Sequence, residues 1–254
     1  MLKNERQKQI LKLIEQKNSL RVDDLANYFN VSRMTIRRDL SQLEKTDYLK
    51  RTRGGATARK LVYSEKDFSE RKVEHLSEKR RIAEVAIQFM EPNDSLLLDY
   101  GSTPQELAKL MINRIDFPLT IVINDFNLYR ILRKNSSFNL IFVGGTVEQD
   151  GDHITSGYLA HQFYQQLTID KAFMSMRTIN FSKGLFHPNS QIAETKRCMI
   201  EAAKKVIVIA DHSKFNNHSL FNIAPIEKVN ILITDTGFND YDIEIPKHLS
   251  FIKA

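Results

Sequence analysis

The stretch Asp99-Tyr-Gly-Ser-Thr-Pro-Gln-Glu sets a glycine, two hydroxyls and a proline where an apolar run gives way to a helical pattern. Proline suits the first turn of a helix. Free backbone N–H groups there, joined by the Ser102 and Thr103 hydroxyls beside Gly101, form a ready site for an anion such as a phosphate. A plain Ser/Thr helix cap uses the same residue types. No Gly-Lys-Ser/Thr follows, so the segment is not a Walker loop. A second cluster is cationic: Ser32-Arg33-Met34-Thr35-Ile36-Arg37-Arg38 opens a helix, and Lys50-Arg51-Thr52-Arg53-Gly54-Gly55 comes shortly after. Ser32, Arg33, Met34, Thr35, Arg37 and Arg38 are placed to meet base edges and phosphates in a major groove. Arg51 and Arg53, on a basic hairpin, would lie near phosphates or a minor groove. An arginine run by itself is ordinarily a solvated helix face. This run follows a two-helix pattern and precedes a Gly-Gly turn, which points to double-stranded DNA.

The elements that must hold the cationic cluster are legible around it. Val22, Leu25, Ala26 and Phe29 form one apolar stripe of a helix. Asn30 tolerates the left-handed conformation that ends a helix, and Ser32 can cap the next one. Ile36, Leu40 and Leu43 then face inward. Ile10, Leu13 and Ile14 mark an earlier helix that completes a three-helix core, and Tyr48–Leu49 leads into a wing. Charge follows this partition. Residues 1–60 hold fifteen Lys and Arg against seven Asp and Glu, a net of +8, which leaves −2 for the remainder of a chain whose total is +6. A phosphate-binding surface on a near-neutral body is implied.

Residues 57–76 read as a polar linker with a short strand at Leu61–Tyr63. Beyond it, apolar runs at 95–99, 119–124, 140–145, 206–211 and 231–235 alternate with helical stretches at 78–89, 104–112, 125–133, 157–167 and 192–203. This alternation predicts an α/β fold: a small N-terminal winged helix-turn-helix domain (1–56), then a larger α/β domain (77–254) with a mostly parallel sheet whose strands are buried on both faces. The strands end in Asp99, Asn124, Gly144, Asp211 and Asp235. Ligands of open α/β sheets bind beyond such ends, although Asp, Asn and Gly also serve simply as turn residues.

The 254 residues suit one small and one medium domain, and 42% hydrophobic content suits a folded chain. No run has the length of a membrane span and the N-terminus lacks a signal-peptide core, so a cytoplasmic protein is expected. The single cysteine, Cys198, reads as a packed thiol, and the seven histidines have no metal-ligand spacing. No metal and no cofactor is expected.

These residues resemble the DeoR family of bacterial transcription regulators over nearly the whole chain. The resemblance runs through Arg6-Gln7, Val31-Ser32, Thr35-Ile36-Arg37-Arg38-Asp39-Leu40, Leu43-Glu44, Arg51 and Gly54-Gly55-Ala56. It continues through Asp99 with Gly101-Ser102-Thr103, Gly144-Gly145-Thr146, Asp170-Lys171-Ala172-Phe173, Lys183-Gly184-Leu185, Glu194 with Lys196-Arg197, Asp211 with Ser213-Lys214-Phe215, and Ile233-Thr234-Asp235. It implies a repressor of a sugar catabolic operon whose C-terminal sensor resembles ribose-5-phosphate isomerase. Gly101, Ser102 and Thr103 would then hold the phosphate of a phosphorylated sugar. Asp99, Asn124, Gly144, Gly145, Lys183, Glu194 and Lys196 would line the sugar end. The chain departs from the family pattern at Asp47, where glycine is usual, and at Arg53, where histidine is usual. It departs again at Ser175-Met-Arg-Thr-Ile179, where a Gly-Ala-Asp-Gly-Ile type of turn is usual. There Arg177 is a candidate partner for the ligand phosphate.

Three functions compete. The leading one is a homo-oligomeric repressor, dimer or tetramer, whose grip on operator DNA a phosphorylated sugar controls. The second is an isomerase fused to a DNA-binding head, with Glu194 as general base beside Lys196. Its acidic partner in the 175–179 turn is missing, so a regulator and not an enzyme is expected. The third is a DNA-binding module whose second domain serves only assembly.

Overall fold

The computed structural model describes residues 6–7, 9–10, 13, 19–45, 49–52, 54–58, 68–148, 153–215, 219–239 and 244–254. The chain divides into two compact units, Met1–Ser64 and Glu65–Ala254.

In the first unit, helices Val22–Phe29 and Arg33–Lys45 pack beside a three-stranded antiparallel sheet in the order Ser19–Arg21, Gly55–Ala58, Leu49–Thr52. Arg6, Gln7, Gln9, Ile10 and Leu13 are also helical. Ile10, Leu25, Ile36, Leu40, Leu49 and Ala56 close one core, with Leu13 and Phe29 at its margin. The expected Ile14, Asp47, Tyr48, Arg53 and the Leu61–Tyr63 strand lie outside the described residues. Gly55 is required by close approach, because a Cβ there would run into the Leu20 carbonyl. The strand Ser19–Arg21 carries no run long enough to be read from sequence.

The second unit is built on a seven-stranded sheet. Its order is Ser250–Lys253, Ile231–Thr234, Ala203–Ile209, Ile169–Met174, Ser95–Leu98, Leu119–Ile123, Phe138–Phe142, and every neighbouring pair is parallel. Side chains alternate between two cores. Leu96, Leu98, Ile121, Phe173, Ile207 and Ile233 pack under helices Leu76–Ala86, Ser102–Arg114 and Phe126–Leu132. Leu97, Val122, Ala172, Met174, Val208 and Leu232 pack under Tyr158–Tyr164 and Ser190–Glu201. The result is three layers with the sheet buried on both faces, as continuous apolar strands require. The helices fall where the sequence pattern placed them, within a turn at each end.

Some features differ from the sequence reading. Residues 57–76 are not a plain linker: strand Gly55–Ala58 reaches into them and Phe68–Val73 is a helix. Ser250–Lys253 adds an edge strand. A small antiparallel sheet, Thr178–Asn180, Gly184–His187 and Phe221–Ala224, joins the second core. No helix among the described residues is long and apolar enough to cross a membrane.

The strand order contains one reversal. The chain enters at Ser95–Leu98, moves outward to Phe138–Phe142, and returns to Ile169–Met174 on the other side of its starting strand. That reversal opens a crevice beyond the carboxyl ends of two adjacent strands.

In the first unit, Arg6 Nε donates to Asp39 Oδ2 at 2.6 Å with both groups buried, and Gln7 Nε2 donates to Asp39 Oδ1 at 3.3 Å. Removing one partner of a buried pair leaves an uncompensated charge and costs about 3–5 kcal/mol. Asp39→Ala is therefore expected to speed amide exchange across Arg33–Lys45 by about a hundredfold or more; unchanged exchange would show the pair to be unimportant.

Candidate functional site

The first unit presents one polar helix face. Asn30 is left-handed (φ 49°, ψ 50°), and the Val31 N–H returns to the Ala26 carbonyl at 3.0 Å, which ends the first helix. The Thr35 N–H donates to Ser32 Oγ at 3.2 Å, so Ser32 caps the second. With Ile36, Leu40 and Leu43 buried, Ser32, Arg33, Met34, Arg37 and Arg38 are exposed and Thr35 is half-buried. Arg33 Nε lies 2.8 Å from Asp23 Oδ1, an exposed pair that a stronger anion can displace. Arg51 is exposed on the wing, and its N–H donates to Glu44 Oε1 at 3.0 Å. Arg53 is outside the described residues.

The second unit holds a cavity in its crevice. It is lined by Gly101, Ser102 and Thr103 after the first central strand, Ser175, Met176 and Arg177 after the second, and Ile209, Ala210 and Lys214 at and after the end of the third, with Arg71 completing the wall. Gly101 has φ +136°, and a Cβ there would stand 2.8 Å from Ser175 Oγ. Only glycine lets the strand turn this sharply into the Ser102–Arg114 helix. That helix has no side-chain cap hydrogen bond, so its first N–H groups are open to an acceptor.

The cations are set by their neighbours. Asp211 accepts from the Ser213 N–H at 3.0 Å and from Ser213 Oγ, and lies 3.4 Å from Lys214 Nζ. Burial pushes the Lys214 ammonium below the usual lysine range; Asp211 opposes the shift and Arg177 adds to it. Burial pushes the Asp211 carboxyl up, but Lys214, Ser213 and Lys79 outweigh it and hold the group below the usual carboxylate range. The cavity thus joins a helix start to three basic side chains, an arrangement suited to a dianion.

Residues 6–61 match the DeoR-like helix-turn-helix domain, and residues 74–236 match the DeoR C-terminal sensor domain. The chain belongs to the DeoR family of transcriptional regulators. The transcriptional repressor AccR of Agrobacterium fabrum is 35% identical over 96% of this chain and 94% of its own. A glycerol-3-phosphate regulon repressor of Haemophilus influenzae is 30% identical over 90% of this chain and 88% of its own. A solved ribose 5-phosphate isomerase A from Methanocaldococcus jannaschii aligns with a TM-score of 0.42 at 14% identity, over 56% of this chain and 55% of that one.

Among the sensor residues expected from the DeoR resemblance, Gly101, Ser102, Thr103 and Arg177 come together in the cavity. The others stand elsewhere. Asp99 is fully buried: Oδ1 accepts from the Tyr100 N–H at 2.9 Å, and Oδ2 accepts from the Ser175 N–H at 2.8 Å and from Lys196 Nζ. Lys196 is buried too and also donates to the Ser175 carbonyl at 2.9 Å. The two expected sugar contacts therefore satisfy each other. Lys183 is exposed at the turn between Thr178–Asn180 and Gly184–His187, and Glu194 is exposed and paired with Arg197. Asn124 is buried with Nδ2 donating to the Thr155 carbonyl at 2.7 Å. Gly144 is exposed, and Gly145 (φ +151°) abuts the Ser156 carbonyl. Arg71, Ser175, Met176, Ile209, Ala210 and Lys214 also line the cavity, a placement that the sequence reading does not give them. Lys214 could have been found, because it lies three residues past Asp211 at a strand end.

Asp99→Ala would take from the buried Lys196 ammonium the carboxylate it donates to, at a cost of about 3–5 kcal/mol. Calorimetry should show the second unit melting about 10 °C lower, with Asp99→Leu/Lys196→Met recovering much of the loss. An unchanged melting point for Asp99→Ala would mean that the pair does not organise the crevice.

Proposed function

We propose that this regulator is a repressor of a sugar catabolic operon, and that a phosphorylated sugar or polyol in the sensor cavity changes its affinity for operator DNA. The observation that carries this reading is the convergence of Arg71, Arg177 and Lys214 on the uncapped helix start at Gly101–Thr103. The phosphate takes the Ser102 and Thr103 N–H groups and hydroxyls, with Arg177 and Lys214 neutralising it. The relative named as a glycerol-3-phosphate regulon repressor favours a small phosphomonoester. Ser32, Arg33, Met34, Thr35, Arg37 and Arg38 enter the major groove while Arg51 and Arg53 grip the backbone. A homo-oligomer supplies two heads for repeated half-sites. Glu194, the base that an isomerase would need, is engaged with Arg197 and does not line the cavity, which favours binding over turnover.

Titrating glycerol 3-phosphate and a panel of aldose and ketose phosphates against a fragment of the neighbouring promoter should change its electrophoretic retardation. Arg177→Ala should weaken ligand binding by about ten- to a hundredfold, the worth of a charge-assisted hydrogen bond. A panel that neither binds nor alters retardation would end the effector reading.

Binding should also depend on pH. Lys214 is depressed in the free protein and a bound dianion favours its charged form, so affinity is full below the free-protein value and falls as pH rises through it. The decline should begin before the ordinary lysine range, and Lys214→Arg should remove it because a guanidinium stays charged. A wild-type affinity flat through that range would contradict the assignment of Lys214.

A further inference from the structure

Every cavity residue but one stands at or just beyond the carboxyl end of a central strand. The exception is Arg71, from the helix Phe68–Val73, the first described element of the second unit after strand Gly55–Ala58 of the first. This arginine is buried, and its guanidinium lies 5.3 Å from the centre of the Phe68 ring. The far end of the helix is tied as well. Lys79, itself buried, donates from Nζ to the Arg71 carbonyl at 2.6 Å and to the Glu74 carbonyl.

A helix of six residues does not hold itself together in water. Its order rests on these ties, and one of its residues, Arg71, lines a cavity that Arg177 and Lys214 also line. Burial depresses the Lys79 ammonium, and both Lys214 and Arg71 depress it further while Asp211 and Glu74 compensate. An anion in the cavity adds an attraction for Arg71, which lines it. An occupied cavity therefore favours the seated helix more than an empty one does, which is the differential interaction that any ligand-driven shift requires.

We infer that Arg71 is the coupling residue of this sensor: it clasps the bound anion and thereby orders Phe68–Val73, the segment through which the chain connects to its DNA-reading unit. The inference rests on the phosphate-binding reading of the cavity.

Hydrogen exchange of the full chain, with calorimetric titration on the same samples, tests it with inorganic phosphate and glycerol 3-phosphate as probes. In the wild type, saturation should slow exchange at residues 68–74 by at least about tenfold. Arg71→Gln should bind about ten- to a hundredfold more weakly and show no slowing there once saturated. Lys214→Gln, weakened to a similar degree, should keep the slowing at saturation. If Arg71→Gln cannot be saturated, Arg71→Lys carries the comparison and should show partial slowing. Wild-type binding without slowing at 68–74, or full slowing in saturated Arg71→Gln, would overturn the coupling role and leave the binding reading intact. Calorimetry that detects neither probe would sink the binding reading and this inference with it.

Discussion

Two carboxylate oxygens with no exposed surface hold the crevice together. Asp99 ends one central strand and accepts from Ser175 at the end of its neighbour, while Lys196 reaches across from the Ser190–Glu201 helix to close the charge. Lys196 also lies 4.3 Å from the centre of the Tyr100 ring, and Tyr100 Oη is 3.1 Å from His187 Nε2. The strand ends on both sides of the reversal are thereby fixed to one another. Gly101 can then turn the chain directly into a helix whose first N–H groups face the space that Ser175, Met176 and Arg177 leave open. A buried pair of this kind is costly to form and costlier to break. Its role here is to set geometry more than to add stability.

Division of labour follows from that arrangement. Asp99 and Lys196 are consumed in building the crevice, so under the proposed function recognition falls to groups on its rim: helix N–H groups, two hydroxyls, Arg177, Lys214 and Arg71. Where the family resemblance leads one to expect an acidic, glycine-rich turn, this chain carries Ser175-Met-Arg-Thr. Under the proposed function, Arg177 there turns that part of the cavity toward an anion. In the first unit, the helix that carries Arg33, Arg37 and Arg38 is anchored from behind by Ile36, Leu40 and the buried Arg6–Asp39 pair, which leaves its basic face outward.

Much of the fold was legible because local rules and burial agreed. The Val22–Phe29 stripe, the left-handed Asn30 and the Ser32 cap each follow from neighbours within a few residues. The central strands read clearly because burial on both faces makes them continuously apolar. The edge strand Ser-Phe-Ile-Lys at 250–253 was missed because a short edge strand lacks that run. The site was legible only where its residues adjoin one another, as Gly101, Ser102 and Thr103 do. Asp99 and Lys196 are 97 residues apart, and nothing local says that they will pair with each other and not with a ligand. Arg71 lies in a polar stretch without periodicity, and its place in the cavity comes wholly from how Phe68–Val73 docks.

The proposed function stands on an anion held at the start of the Ser102–Arg114 helix by groups from three strand ends. Amide chemical shifts of the isotope-labelled full chain, recorded while inorganic phosphate is added, test this directly. Saturable shifts are expected at Ser102, Thr103, Arg177 and Lys214, with little change along the outer strands. Saturable shifts confined to other residues, or none at all at concentrations that bind, would contradict it.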